Sequence, residues 1–182
     1  LDSNIFYAEP IIDTLSVNRT GGLAINRDIT VNGQLNLLSA NPNDTTGCLD
    51  MGNDTLHYGA TATTIGQGDL TGFVKRTTIL PNIEYTFGNE FTSVTFPNIG
   101  TIPSEIRLKT SIGKAPTWKT DAVKRIYELA HTGGDGTRAV IKGHYKDSEL
   151  NGNVEQDLID ITYIIPYSTL IERGRSDINT ID

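Results

Sequence analysis

The chain has 182 residues, which is enough for one good hydrophobic core or two small ones. Its 22 acidic and 15 basic residues give a formal net charge of -7, so nucleic acid and anionic membrane surfaces are not expected partners. A hydrophobic content of 37% with 18 glycines fits a thin β fold with many polar turns. Since no apolar run reaches about eighteen residues, membrane insertion is not expected either.

Residues 1–13 (LDSNIFYAEPIID) form a mixed apolar leader in which Pro10 interrupts an extended stretch. The sequence leaves two roles open for this leader strand. It can cover the first β structure of its own chain, or it can leave its own molecule and complete a neighbour's sheet.

Short apolar pairs, each two positions apart, run from Leu15 to Val74 with Gly, Asn, Asp and Thr between them. Each pair puts two side chains on one face of a very short strand. The pairs recur after about twenty residues, and the turn-rich run 41–47 is predicted to be a protruding loop. This pattern predicts a short parallel β-helix, or solenoid, over residues 1–74, whose open ends need a cap, a neighbouring domain or another subunit. The predicted stacks are Leu15 on Leu35 on Leu56, and Ile29 on Leu49 on Leu70.

The pattern changes at Lys75, where longer alternating strands begin, separated by Pro-Asn, Gly-Asn and Pro-Ser turns. Seven such strands predict an antiparallel β-sandwich over residues 75–182. The Gly-Gly-Asp-Gly run 133–136 predicts a hairpin between the strands on either side of it. The predicted fold class is therefore all-β, with strands at 75–80, 83–87, 93–96, 105–110, 123–130, 138–145 and 157–165.

One stretch has the opening spacing of a calcium loop. Asp147, Glu149 and Asn151 alternate and are followed by Gly152, so their oxygens could converge on a hard cation. The twelfth position is Leu158, where a calcium loop carries a bidentate glutamate. A solvated hairpin loop therefore remains the alternative reading of these three residues.

No catalytic constellation is evident, and the prediction is that the protein is not an enzyme and has no cofactor. The three histidines lack zinc-binding spacing, and the lone Cys48 is typical of a small buried side chain. A hydrolase or lyase would require a groove that holds two acids, or an acid with an arginine. Nothing in the sequence selects a pair from the candidate acids Asp28, Asp50, Asp54 and Asp69.

Aromatic residues in the predicted strands offer a second kind of site, because exposed rings could stack on sugars. Most of them fall in alternating strands, where aromatic side chains also favour packing. The residues concerned are Trp118, Tyr85, Tyr127, Tyr145, Tyr163 and Tyr167.

The phrases "LAINRDITVNGQLNL" and "LDMGNDTLHYGATATTIGQGDLTG" resemble haemagglutinin-type β-helix rungs. From residue 72 onward, "GFVKRT", "YTFGNEFTSVTF", "RLKTSIGKAPTW", "AVKRIYEL", "HYKDSELNGN" and "ERGRSDINTID" resemble the β-sandwich that follows such rungs in secreted surface proteins of Bacteroidota-type bacteria. The resemblance implies a secreted, extracellular or cell-surface protein used in adhesion, matrix or filament building. It transfers no catalytic residues.

The function expected from the sequence is therefore a non-enzymatic structural or adhesive module that self-associates or contacts neighbouring domains of a longer chain. A carbohydrate-binding module that takes polysaccharide is the alternative. A start without Met and without a signal peptide fits both a mature secreted protein and a segment of a longer chain.

Overall fold

The computed structural model describes residues 8–38, 48–164 and 169–172. Within these ranges the regular structure consists of strands and two three-residue 3-10 turns, at Asp147–Glu149 and Glu155–Asp157. The strands are β1 (Ile11–Val17), β2 (Leu23–Ala24), β3 (Ile29–Leu37), β4 (Leu49–Tyr58), β5 (Thr63–Ile65), β6 (Leu70–Arg76), β7 (Glu84–Thr86), β8 (Ser93–Thr95), β9 (Glu105–Ile112), β10 (Arg125–Thr132), β11 (Val140–Lys142), β12 (Ile161–Ile164) and β13 (Thr169–Glu172).

The strands before residue 77 pair in parallel, and their registers form three ladders. The first aligns Ile12 with Val31 and Tyr58. The second aligns Leu15 with Leu35 and Thr64, and the third aligns Leu23 with Leu49 and Leu70. Apolar side chains at alternate positions of these ladders point to one shared interior, as the two-step pairs in the sequence predict.

Half of the predicted stacking is confirmed. Leu15 pairs with Leu35, and Leu49 pairs with Leu70. The stacks of Leu35 on Leu56 and of Ile29 on Leu49 are wrong, because Leu56 pairs with Ile29 and Leu49 pairs with Leu23. The extra residues between β3 and β4 lengthen one interval of the repeat, so counting twenty residues from β3 reaches the wrong ladder. The predicted loop 41–47 itself lies outside the described residues.

The buried core is one continuous cluster that extends from Val17 in β1 to Leu108 in β9. It crosses the boundary predicted at residues 74 and 75, and so does the main sheet, because β6 pairs with β9. At the far end of the core lies Arg76, whose guanidinium is packed among the rings of Tyr58, Tyr85 and Phe87. The division into units 1–74 and 75–182 stays a prediction.

The later strands pair antiparallel, and the structure as described is all-β with mixed sheets. β10 pairs with β9, β8 pairs with both β7 and β11, and β12 pairs with β13. The predicted hairpin across residues 133–136 is wrong, because β10 and β11 belong to different sheets. The Gly-rich run turns the chain away from β10, and its backbone instead holds the loop at Thr101 through Asp135.

Most predicted strands after Lys75 overlap an observed one, but of the predicted strand 75–80 only the first two residues lie in a strand. Lys75 and Arg76 complete β6 and lie in parallel register with His57 and Tyr58. Of the predicted leader, residues 1–7 lie outside the described residues, and β1 begins directly after Pro10. No helix in the described ranges is long and apolar enough to cross a membrane.

Candidate functional site

A groove of about 510 Å³ runs between the parallel ladders and the segment that carries the first 3-10 turn. One wall is the outward side of β2, β4 and β6, where Ala24, Asp50 and Thr71 are aligned across the strands. The second wall comprises Ile112 at the end of β9, Lys124 next to β10, and Lys146, Ser148 and Glu149 around the first 3-10 turn. The side chains of this ladder are short, so they leave a trough along the sheet. Neighbouring strands of the ladder lie about 4.8 Å apart.

Along the groove lies a buried cluster of four charged side chains, three of which line it. The Arg125 guanidinium donates to both carboxylate oxygens of Asp69, at 2.7 and 3.2 Å, and to both of Glu149, at 2.7 Å each. The Lys146 Nζ lies 3.1 Å from Asp69 Oδ2. Two acids and two bases balance, so the cluster is buried without a net charge.

Polar groups around the cluster fix its geometry. Asn89 Nδ2 donates to Asp69 Oδ1 at 3.0 Å and to the Gly68 carbonyl at 3.0 Å. On the other side, the Tyr127 hydroxyl donates to the His144 carbonyl at 2.6 Å and accepts from the His144 amide at 3.1 Å. The two Tyr127 hydrogen bonds fasten the segment that follows β11 to β10 of the main sheet.

Burial and ion pairing shift the pKa values of Asp69, Arg125 and the neighbouring His144. Burial opposes ionisation of Asp69, but hydrogen bonding and the charge of Arg125 outweigh it and lower the pKa of the carboxyl. Burial likewise opposes the charge of Arg125, yet Glu149 and Asp69 raise the pKa of the guanidinium. The pKa of His144 is lowered, first by burial and then by the neighbouring Arg125 charge. At neutral pH Asp69 therefore holds no proton that it could donate.

The cluster acts as a clasp between distant parts of the chain. Asp69 precedes β6, Arg125 begins β10, and Glu149 ends the first 3-10 turn. In both pairs the geometry is bidentate, so each carboxylate oxygen of the two acids accepts a hydrogen bond from Arg125. Although a groove, two acids and an arginine are brought together, as the enzyme hypothesis requires, the acids are neutralised by the arginine.

The three predicted calcium ligands have other partners. Glu149 is held by Arg125, and the Asn151 amide nitrogen donates to the carbonyls of Thr120 and Ala122. Asp147 is exposed at the start of the 3-10 turn. No group of three or more His, Cys, Asp or Glu side chains placed to hold a metal ion occurs among the described residues. Calcium binding at this loop stays a prediction that a titration can test.

The candidate acids separate into different surroundings. Asp69 lies in the clasp, and Asp50 lines the groove. Asp28 accepts the backbone N–H of Thr55 and lies 3.8 Å from the His57 ring. Asp54 is half-buried in β4 and has no part in the groove. The lone cysteine, Cys48, lines the groove as a half-buried thiol.

The predicted aromatic platform is dispersed. Tyr58 and Tyr85 are buried in the core, and Tyr127 and Tyr145 are half-buried. Trp118 is 36% exposed. Of Tyr163, only its place in β12 is described, and Tyr167 lies outside the described residues.

Sequence reasoning missed Arg125, Lys146 and Glu149 as partners of Asp69. A signal for Arg125 is nevertheless present, since it alternates with Val123, Tyr127 and Leu129 on the apolar side of its strand. A charged residue on the same side of a strand as apolar residues is either exposed at a sheet edge or buried together with polar partners. The identity of those partners depends on contacts between segments far apart in the chain.

Comparison of the chain with protein families, with curated proteins and with solved structures found no match. The geometry described above is therefore the basis for the function proposed below.

Proposed function

We propose that this chain is a non-enzymatic, extracellular structural or adhesive module whose residues 11–76 wind as a short parallel coil, followed by antiparallel sheets. The proposal of a coil is supported by the three parallel ladders and their common apolar interior. The extracellular setting and the adhesive role rest on the resemblance of the coil phrases to haemagglutinin-type rungs.

One observation supports assembly through the coil end. Leu35 and Leu49 are fully buried, whereas Leu15, Leu23 and Ile25 of the first turn are only partly buried. On the outward side of the same edge strand, in register with Thr30, Ile11 is 71% exposed. Among the described residues, the outer edges of β1 and β2 also have no strand partner. An apolar interior that ends at an unpaired strand edge favours contact with another β edge.

The second coil end is different, and this limits the geometry of assembly. β6 pairs with β9, and the Thr64 amide in β5 donates to Thr86 of β7, so later strands cover that end. A stack that grows head to tail needs two free ends. The coil-end contact should therefore be isologous, with β1 of one copy against β1 of a second copy in a closed dimer.

Sedimentation equilibrium over a wide range of protein concentration tests this proposal. The native chain should show a monomer–dimer equilibrium, and Ile11→Lys should shift it to monomer because it places charge on the contact edge. Val154→Lys is the matched control, since Val154 is 60% exposed in the turn before the second 3-10 turn, outside the coil. Monomers at every concentration, with or without calcium, would rule out coil-end assembly, and long polymers would rule out the closed dimer.

A further inference from the structure

From its size, its charge balance and the groups on its two walls, we infer that the groove over the β2–β4–β6 ladder is a binding site for a short neutral oligosaccharide. Its volume of about 510 Å³ lies in the range of small-molecule sites in proteins. The inference does not depend on the proposed coil-end contact, because the groove uses the outward side of the strands and not the edge of β1.

The charge balance sets the ligand class. Asp50, Asp69 and Glu149 line the groove, and their charges are matched by Lys124, Lys146 and the Arg125 guanidinium behind them. A groove with no net charge gives no long-range attraction to a polyanion or a polycation. Its lining favours a neutral ligand with many hydrogen-bonding groups.

Two groups that line the groove can still form hydrogen bonds with such a ligand. Asp50 Oδ1 accepts from the Gly52 amide and the Thr71 hydroxyl, both at 2.9 Å, and among the described residues no cation pairs with this carboxylate. Lys124, which lines the second wall, also has no ion pair in the described part of the chain, although its backbone amide donates to the Glu149 carbonyl. Sugar hydroxyls can donate to a carboxylate and accept from an ammonium group, so one ligand can satisfy both walls.

The lining mixes polar and apolar side chains, and a sugar ring likewise presents both hydroxyl groups and C–H groups. Ala24, Asp50 and Thr71 repeat at the strand spacing, and Ile112 adds an apolar side chain to the lining. The clasp beneath holds Lys146 and Glu149 in place before any ligand arrives, which reduces the ordering that binding requires.

Isothermal titration calorimetry and saturation-transfer NMR with maltotriose, cellotriose, xylotriose and mannotriose test the inference, with trigalacturonate as the charged comparison. At least one neutral trisaccharide should bind. Ala24→Trp should abolish that binding, because Ala24 is exposed on the groove wall and the indole would fill the trough. Asp50→Asn and Lys124→Met should each weaken it by up to about tenfold, the equivalent of one hydrogen bond.

Matched controls are Asp135→Asn and Lys142→Met, which change exposed residues outside the groove lining and should leave the affinity unchanged. Circular dichroism and the thermal midpoint confirm that each variant is folded. Failure of all four neutral trisaccharides to bind, preference for trigalacturonate, or full binding by folded Ala24→Trp would each overturn the inference. None of these results would alter the monomer–dimer equilibrium that tests the coil-end contact.

Discussion

Two buried arginines show how single residues hold this fold together by different means. Arg125 is paired with two carboxylates, whereas Arg76 is 1% exposed and, among the described residues, donates to the backbone carbonyls of Gly59, Ala62 and Thr86. Aromatic rings around Arg76 supply cation–π contacts, but burial without an acid lowers its pKa to about 10. Both side chains satisfy groups that would otherwise be buried without partners.

Replacing Arg125 should be strongly destabilising. Arg125→Met removes the donor to Asp69 and Glu149 and leaves two buried carboxylates with Lys146 as the remaining cation, at a cost of about 3–5 kcal/mol. Urea denaturation measures the free energy of unfolding. The control Lys142→Met removes an exposed ion pair with Glu84 and should change it by less than about 1 kcal/mol. Equal effects of the two variants would contradict the clasp.

At the scale of elements, glycines set the corners at which the parallel strands stack closely. Gly66 follows β5 with φ of +93°, and a Cβ placed there would lie 2.3 Å from the Leu37 carbonyl oxygen. Gly52, within β4, also has a positive φ of +53° but has open space around it. Comparing the two positions distinguishes the cost of backbone strain alone from the added cost of a close contact between turns of the chain.

Gly66→Ala should therefore be the more damaging substitution. Gly52→Ala requires only the left-handed conformation, which costs about 1 kcal/mol. Gly66→Ala adds a backbone clash and a less accessible φ, so we expect it to cost at least about 2 kcal/mol more. Thermal unfolding of both variants under the same conditions checks the difference. If the two midpoints agree, Leu37 and Gly66 are not packed as closely as described.

For the molecule as a whole, the important feature is one core shared by parallel and antiparallel strands. Leu56 and Val74 in the parallel ladders belong to the same cluster as Ile106 and Leu108 in β9. β6 is the common element, since it pairs in parallel with β4 and antiparallel with β9. The clasp adds a second tie between the coil and the later segments.

This shared core predicts one cooperative unfolding transition for the described strands, not two. In scanning calorimetry the van't Hoff and calorimetric enthalpies should agree. Leu108→Ala, which creates a cavity in β9 and should cost about 2–5 kcal/mol, should weaken hydrogen-exchange protection in β3 and β4 as much as in β9. Loss of protection confined to β9 would show that residues 1–74 fold as a separate unit.

The sequence allowed much of the local structure to be predicted but little of the site. Strands such as Glu105–Ile112 and Glu84–Thr86 follow from alternation and turn residues, which act over a few positions. Asp69 and Asp50 were among the candidate acids chosen from the sequence, but the groups that contact them were not predicted. The side chains of Arg125 and Glu149 meet across segments that are distant in the chain, and no local pattern encodes that meeting.

The sequence by itself determined the all-β class and the inward-facing pairs, because side-chain alternation in a strand has a fixed period of two. Only the tertiary structure decided which ladder each pair joins, as Leu56 on Ile29 shows, because register depends on loop length and on packing across the core. It also decided the clasp and the groove, since both arise where the chain returns over the outside of its own parallel strands.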